Sequence, residues 1–108
     1  MPKKNVSLNS PVIATLELIG GRWKGIILYQ LTFGTRCFGE ISVRIPNISR
    51  KVLTEQLKEL EKDGLISRKK YNEVPLRVEY SLTELGESLS PVFDEMADWG
   101  RKNITEKR

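Results

Sequence analysis

The sequence predicts a small, mainly α-helical domain with one β-hairpin, an α+β fold, and three observations support this prediction. The chain has 108 residues, of which 39% are apolar, so it can bury one modest core. Apolar residues recur at helical spacing through most of the chain. After Gly64 the pattern changes to short runs of strand-forming residues around the turn-like segment NEVP. We place the folded domain at residues 10–103, between a polar, flexible arm at 1–9 and a charged tail at 104–108.

Two short helices begin the domain. Ser10 and Pro11 are typical of a helix cap and a first helical turn, and this helix ends at Gly20. The second helix begins near Arg22 and ends before Gly34. We expect both helices to turn an apolar stripe toward the core. The stripes consist of Val12, Leu16 and Ile19 in the first helix and of Trp23, Ile26, Ile27 and Leu31 in the second.

A helix-turn-helix pattern follows. Phe38 to Ile45 has helical spacing and is stopped by Pro46, after which Ser49 has the character of an N-cap. The segment SRKVLTEQLKELEKDG then forms a longer amphipathic helix that ends at Gly64. Two helices joined by a tight turn, the second longer than the first, are the pattern of a motif that reads DNA. The core side of the longer helix carries Val52, Leu53, Gln56, Leu57 and Leu60.

The change of pattern after Gly64 predicts a two-stranded hairpin. Its strands run near Ile66 to Tyr71 and near Arg77 to Leu82, and residues 72–76 connect them. A hairpin next to a helix-turn-helix is a wing, so the predicted architecture is a winged helix-turn-helix.

The last helix extends from a cap at Thr83 to about Asn103, with a kink expected at Pro91. Its apolar stripe is wider than a small core can cover, so we expect it to pack, together with the first helix, against a second copy of the chain. Packing within the chain is the alternative. The residues expected at this interface are Leu8, Val12, Ile13, Leu16, Leu89, Val92, Phe93, Met96 and Trp99.

The net charge of +4 is unevenly distributed. From Arg44 to Arg77 nine cations stand against five anions, whereas from Thr83 to Asn103 five anions stand against two cations. Double-stranded DNA should therefore approach the helix-turn-helix and the wing. Since the start of the longer helix would enter the major groove, Arg50 is the first candidate for a guanine contact. The expected DNA-binding residues are Ser49, Arg50, Lys51, Thr54, Lys58, Arg68, Lys69, Lys70, Asn72 and Arg77.

Each charged segment also has an ordinary interpretation. The exposed side of the longer helix can be a solvated face held by ion pairs four residues apart. Lysines on a wing strand can protect an exposed sheet edge. Strand alternation places Arg68 and Lys70 on one face and Lys69 on the other, so one DNA backbone cannot contact all three. The combination of the helix-turn-helix and a basic hairpin, rather than any single run, favours DNA binding.

Composition excludes several classes of protein. With no His, one Cys and no phosphate-binding glycine loop, the chain lacks the usual parts of a zinc site, a Ser-His hydrolase or a nucleotide enzyme, so we expect no metal, cofactor or catalysis. The lone Cys, and the absence of an apolar leader or membrane-length run, favour a cytoplasmic protein. Cys37 is a candidate redox sensor, because helix amides and Arg36 could lower its pKa; an inert thiol is the alternative.

Three segments resemble the HxlR-type bacterial transcription regulators, namely SPVIATLELIGGRWKGIIL, PNISRKVLTEQLKELEKDGLISRKKYNEVPLRVEYSLTELG and DEMADWG. The resemblance implies a winged helix-turn-helix, a homodimer built from the first and last helices, and binding to operator DNA as a repressor or an activator. It places Ser49, Arg50, Lys51, Thr54, Gln56 and Lys58 on the recognition helix, and Arg68, Lys69, Lys70 and Arg77 on the wing.

Two positions depart from the family's pattern. Members that sense aldehydes, quinones or disulfide stress carry a Cys immediately before the Pro-Val of the first helix, where this chain has Ser10. The family's usual basic residue before Phe38 is replaced by Cys37. We therefore expect a homodimeric, sequence-specific DNA-binding regulator on a pseudo-palindromic operator, with its effector left open. The alternative is a winged-helix module that binds an acidic protein partner.

Overall fold

A computed structural model describes residues 10–106 of the chain, so Leu8, expected at the dimer interface, lies outside the described residues. The fold is mainly helical with a small antiparallel sheet, which confirms the predicted fold class. The elements in chain order are α1 (Pro11–Ile19), α2 (Lys24–Leu31), β1 (Arg36–Cys37), α3 (Phe38–Arg44), α4 (Arg50–Lys62), β2 (Ile66–Tyr71), β3 (Arg77–Leu82), α5 (Glu84–Glu87), α6 (Ser90–Gly100) and a π-helical segment (Arg101–Thr105).

The sheet has three strands in the order β1-β3-β2, and both pairs are antiparallel. The strands β2 and β3 have the predicted bounds, and their register sets Ile66 opposite Leu82. The expectation of only two strands is corrected by β1, which sets Arg36 opposite Tyr80. A strand of two residues is too short to show the alternating pattern by which strands are detected in a sequence.

The core lies where α4 packs against the neighbouring helices and the base of the wing. The three leucines of α4 at positions 53, 57 and 60 are fully buried, together with Ile27 of α2, Ile41 of α3 and Ile66 of β2. Their spacing of four and three residues keeps them on one helix face, so the opposite face of α4 is turned outward. This arrangement confirms the predicted amphipathic helix and fixes the orientation of its charged side.

Two helix starts in the helix-turn-helix are capped. The Ser49 Oγ accepts a hydrogen bond of 3.1 Å from the Val52 N–H, which confirms Ser49 as the N-cap of α4. At the start of α3, the Cys37 N–H donates to the Glu40 carboxylate over 2.8 Å. Between the two helices Asn47 has a φ of 70°, a left-handed conformation that Asn tolerates better than most residues. These contacts fix where α4 begins.

The first two helices are buried less than expected. Ser10 occupies the N-cap position of α1, but its side chain makes no capping hydrogen bond. Val12, Leu16 and Ile26 are exposed, which corrects the expectation that both stripes face the core. The reason is that α1 packs on the domain mainly through its last residues, including the buried Ile19. The other side of α1 has no covering element in the described part of the chain.

The predicted last helix is divided in two. The Thr83 Oγ accepts a 3.1 Å hydrogen bond from the Gly86 N–H and caps α5, which ends at Glu87. A new helix, α6, starts at Ser90 with Pro91 in its first turn, so the expected kink is a break. Proline lacks an N–H and fits a first turn better than a helix interior, which explains the position of the break. Helical conformation continues through the π-helical segment.

Candidate nucleic-acid interface

The first turn of α4 presents two cations. Arg50 and Lys51 are exposed, and the turn contains no acidic residue. The Arg50 guanidinium lies over the Phe38 ring at 4.7 Å from the ring centre. A cation at a helix N-terminus is opposed by the helix dipole, so the aromatic face of α3 provides the attraction that orients Arg50. Ser49 lies beside them, although its Oγ is engaged as the cap.

Farther along α4, the two remaining candidates differ. The Thr54 hydroxyl donates to the Arg50 carbonyl oxygen over 2.8 Å and is half-buried, whereas Lys58 is exposed. Among residues 10–106 no ion pair joins two side chains of α4; Glu59 instead pairs with Lys24 of α2 over 2.8 Å. The exposed cations of α4 are therefore not held by ion pairs along their own helix, contrary to the ordinary interpretation of this face.

The wing carries its cations on two faces of the sheet. Arg68, Lys69 and Lys70 are all exposed, and the register sets Lys69 opposite Glu79 while its two neighbours lie opposite Tyr80 and Val78. Adjacent residues of a strand point to opposite faces, so Arg68 and Lys70 share the face from which the core residue Tyr80 projects. The structure thus brings two of the three predicted cations onto one surface.

Arg77 is engaged inside the wing. Its guanidinium donates to the Glu73 carboxylate over 2.9 Å, pairs with Glu79 and lies over the Tyr71 ring at 4.0 Å from the ring centre. The hydrogen bond from Arg77 lowers the pKa of Glu73, and the same bond raises the pKa of Arg77. Arg77 therefore lacks the free charge expected of a phosphate contact, while Asn72 is exposed at the start of the connecting loop.

Cys37 is half-buried at the start of α3. Burial raises the pKa of the Cys37 thiol, and the negative charges of Glu40 and Glu79 raise it further. The expected lowering of this pKa by Arg36 is wrong: the charge that lowers it belongs to Arg77, while the Arg36 Nε is held by the Gln30 carbonyl oxygen, to which it donates over 3.1 Å. This environment is that of an unreactive thiol.

An apolar groove opens between α1, α2 and α6. Its volume is about 780 Å³. It contains five of the residues expected at a dimer interface and also Ile26 and Tyr29, which the sequence pattern did not single out for it. Ile13, Leu89 and Trp99, also expected there, do not line it. The five expected residues in the groove are Val12, Leu16, Val92, Phe93 and Met96.

Two negative findings concern residues 10–106. No group of three or more His, Cys, Asp or Glu side chains in this range is arranged to hold a metal ion. No helix in this range has the length and apolar character that a membrane span requires.

Comparison with known proteins gives consistent matches. A family model described as HxlR-like helix-turn-helix matches residues 18–108. The uncharacterised helix-turn-helix-type transcriptional regulator YdeP of Bacillus subtilis is 53% identical over 92 residues, covering 85% of this chain and 72% of YdeP. A crystal structure described as a MarR-family transcriptional regulator from Porphyromonas gingivalis is 41% identical, with a TM-score of 0.88, and covers 94% of this chain and 100% of that chain. The structure of the redox regulator HypR in its oxidised form is 47% identical, with a TM-score of 0.82. The match covers 87% of this chain and 97% of the HypR chain.

Proposed function

Because the chain belongs to the HxlR-like helix-turn-helix family of DNA-binding transcriptional regulators, we propose that it binds a pseudo-palindromic operator as a homodimer in the cytoplasm. The observation that carries the proposal is the geometry of α4. Its leucine face is fixed in the core, so the exposed Arg50 and Lys51 project from a helix whose orientation is set by the fold. Such a helix end fits the major groove of B-DNA.

Within α4 the residues have different roles in this proposal. Arg50 reads a guanine through two parallel N–H groups of its guanidinium. To do so, the guanidinium moves away from its position over the Phe38 ring. Lys51 and Lys58 contact phosphates. Ser49 and Thr54 lie close to the DNA, where their hydroxyl groups retain lone pairs that accept hydrogen bonds although each is already engaged within the helix.

On the wing, we assign the phosphate contacts to β2. Arg68 and Lys70 share one sheet face and reach one DNA backbone, while Lys69 contacts DNA only from the other face. Arg77 is left out of this set because two carboxylates already neutralise its charge. Asn72 remains a candidate at the start of the loop.

The groove between α1, α2 and α6 supports the homodimer. It is a continuous apolar surface, and Val12, Leu16 and Met96 are exposed in the single chain. An apolar patch of this kind is uncommon on a monomer, and a two-fold axis through α1 and α6 covers the same patch on both copies. The two α4 helices then lie about one turn of DNA, roughly 34 Å, apart.

The surroundings of Cys37 do not favour a thiol switch, because they raise the pKa of its thiol. HypR is named a redox regulator, but this chain has Ser10 before the Pro-Val of α1, and the pKa of Cys37 is raised. We propose that DNA binding by this chain does not respond to mild thiol oxidation.

The test is fluorescence anisotropy with the DNA upstream of the protein's own gene and a shuffled duplex, at several salt concentrations and with and without a thiol oxidant. We expect the protein to bind the upstream duplex about a thousandfold more tightly than the shuffled duplex. Arg50→Ala should reduce the preference, whereas Lys102→Ala, which removes an exposed cation from the π-helical segment after α6, should not. Equal affinity for both duplexes contradicts the presence of an operator in the DNA upstream of the gene. Absence of binding at low salt, together with capture of a stoichiometric acidic protein, supports the alternative of an interaction module.

A further inference from the structure

The Arg50 guanidinium, in the first turn of α4, rests on an aromatic ring. Its central carbon lies 4.7 Å from the centre of the Phe38 ring. Within residues 10–106, no oxygen accepts a hydrogen bond from this guanidinium and no carboxylate pairs with it. Four other arginines of this range donate to an oxygen, namely Arg36, Arg44, Arg77 and Arg101. In the described part of the chain, the ring is thus the group that holds Arg50, and the N–H donors of the guanidinium are unengaged.

The ring is fixed, whereas the guanidinium can move. Phe38 is the first residue of α3, and it is half-buried and packs against the core. Arg50 is exposed, and the Thr54 hydroxyl donates to its backbone carbonyl oxygen, which leaves the side chain free. In the proposed complex a guanine edge lies in the groove in front of α4, on the side away from the core. A guanidinium bound to guanine has therefore left the ring.

The ring and a guanine compete for one guanidinium. At an exposed site, a cation on an aromatic face gains about two- to fivefold in an equilibrium constant. A bidentate contact with guanine gains more, about five- to a hundredfold. Guanine consequently wins the competition, but the release of Arg50 from the ring offsets part of the gain. Over a base pair without two suitably placed acceptors, the ring wins and Arg50 stays where it is.

We propose that Phe38 is a positioning residue that limits how strictly the chain discriminates at the base pair contacted by Arg50. On a duplex without guanine there, the ring retains Arg50, so the guanidinium is not left unpaired against the wrong base. On a duplex with guanine, release from the ring weakens the contact. Both effects bring the two affinities closer together. This inference rests on the proposed function and names the residue that tunes its specificity, so that one chain occupies operators that differ at this pair.

The experiment uses the full chain and the tightest duplex that it selects from a random-sequence pool. The contacted pair is the guanine-containing pair at which Arg50→Ala loses discrimination. Phe38 is then replaced by pentafluorophenylalanine, which has nearly the same shape but an electron-poor ring face that repels a cation. Binding of the selected duplex should become about two- to fivefold tighter. Binding of the duplex with A·T at the contacted pair should not become tighter.

Three controls separate this role from a role in folding. Phe38→Leu removes the ring altogether and should act in the same direction. In the Arg50→Ala background, both replacements of Phe38 should leave the affinity for either duplex unchanged, because the group that the ring holds is gone. Arg22→Ala is the matched variant, since the Arg22 guanidinium lies 4.6 Å from the centre of the Trp23 ring, just before α2. It should not change the ratio of the two affinities.

Nuclear magnetic resonance reports the position of Arg50 directly. Protons above the face of an aromatic ring resonate upfield, so the side-chain N–H signal of Arg50 should be shifted upfield in the free native chain and not in Phe38→Leu. The signal is assigned by its absence from Arg50→Ala. The upfield shift should disappear on the duplex with guanine at the contacted pair and persist on the duplex with A·T.

Three results overturn the inference: weaker binding of the selected duplex by the pentafluorophenylalanine variant, a ratio of the two affinities that this variant leaves unchanged, or an effect of the variant that persists in the Arg50→Ala background. The first result shows that the ring presents Arg50 to the base, and the other two show that it acts through the fold. Circular dichroism melting checks that each variant folds.

The proposed function and the inference fail in different ways. If the native chain selects a duplex but no base pair responds to Arg50→Ala, the inference is refuted while DNA binding stands. Failure of the native chain to select any duplex refutes the proposed function itself, and the inference with it.

Discussion

The recognition helix α4 and the last helix α6 have similar lengths, 13 and 11 residues, and both are amphipathic. Their apolar faces differ in where they lie. Leu53, Leu57 and Leu60 of α4 are at most 1% exposed, whereas Met96 and Trp99 of α6 are 57% and 62% exposed. An apolar stripe in a sequence thus does not tell whether the chain itself buries that face.

The two helices also carry opposite charges on the faces turned to water. The first turn of α4 is cationic, while α6 exposes Asp94, Glu95 and Asp98. Phosphates are attracted to the first and repelled by the second, so the uncovered apolar face of α6 suits protein contact rather than DNA contact. Each of the following variants tests one side of this contrast.

The largest effect is expected on stability, for a substitution in the leucine face of α4 that the chain itself buries. Leu57→Ala should reduce the free energy of unfolding by about 2–5 kcal/mol, because it leaves a cavity among fully buried side chains. Chemical denaturation at fixed protein concentration measures the change, with Lys58→Ala as the exposed neighbour on the same helix. A loss below about 1 kcal/mol for Leu57→Ala contradicts the described core.

The next effect concerns the uncovered face. Met96→Asp should raise the dissociation constant of the dimer at least about thirtyfold, because two copies of an unpaired carboxylate would be buried in the groove. Asn103→Asp adds the same charge beyond the groove and should leave the dimer intact. Sedimentation equilibrium distinguishes the two variants. If Met96→Asp remains dimeric but unfolds more easily, the groove belongs to the core and the contrast with α4 fails.

A smaller effect is expected on the charged side of α4. Arg50→Ala should cost about 1–3 kcal/mol at the cognate duplex and relax discrimination at one base pair, because a bidentate guanine contact is lost. Competition titrations with single-base variants of the duplex measure it. An unchanged ratio of specific to non-specific affinity shows that Arg50 stays over the Phe38 ring and reads no base.

The smallest effect concerns how the helices begin. The N–H of Cys37 donates to Glu40 at the start of α3, which lowers the pKa of Glu40, whereas α6 begins without a side-chain cap. A lowered folded-state pKa stabilises the fold above the unfolded-state pKa, and this contribution disappears as the pH falls through the folded-state value. The Glu40→Gln variant should therefore have a lower melting temperature than the native chain at neutral pH. In strong acid the two melting temperatures should be equal. A difference that persists in strong acid contradicts the carboxylate's role.

Much of this molecule could be predicted from its sequence because the informative signals are local. The cap at Ser49, the leucine spacing of α4 and the bounds of β2 and β3 depend on residues close together in the chain, and the structure confirms them. The sequence did not reveal β1, because pairing with β3 is a contact between distant residues.

The candidate site was predictable only as a list of exposed cations. That Arg77 pairs with Glu73 and Glu79, and that Arg50 lies over Phe38, depends on side-chain geometry that spacing does not specify. Periodicity likewise placed Ile26 in the core, whereas it lines the groove, because a helical pattern does not distinguish one apolar environment from another.

If a second copy of the chain covers the open groove between α1, α2 and α6, as proposed, there is a consequence for gene control. When a DNA-reading unit is completed only by a second copy, the concentration of competent units rises with the square of the monomer concentration while dimers are scarce. A doubling of synthesis then quadruples the number of units able to occupy an operator. A cell that makes such a regulator responds to its abundance more steeply than in proportion.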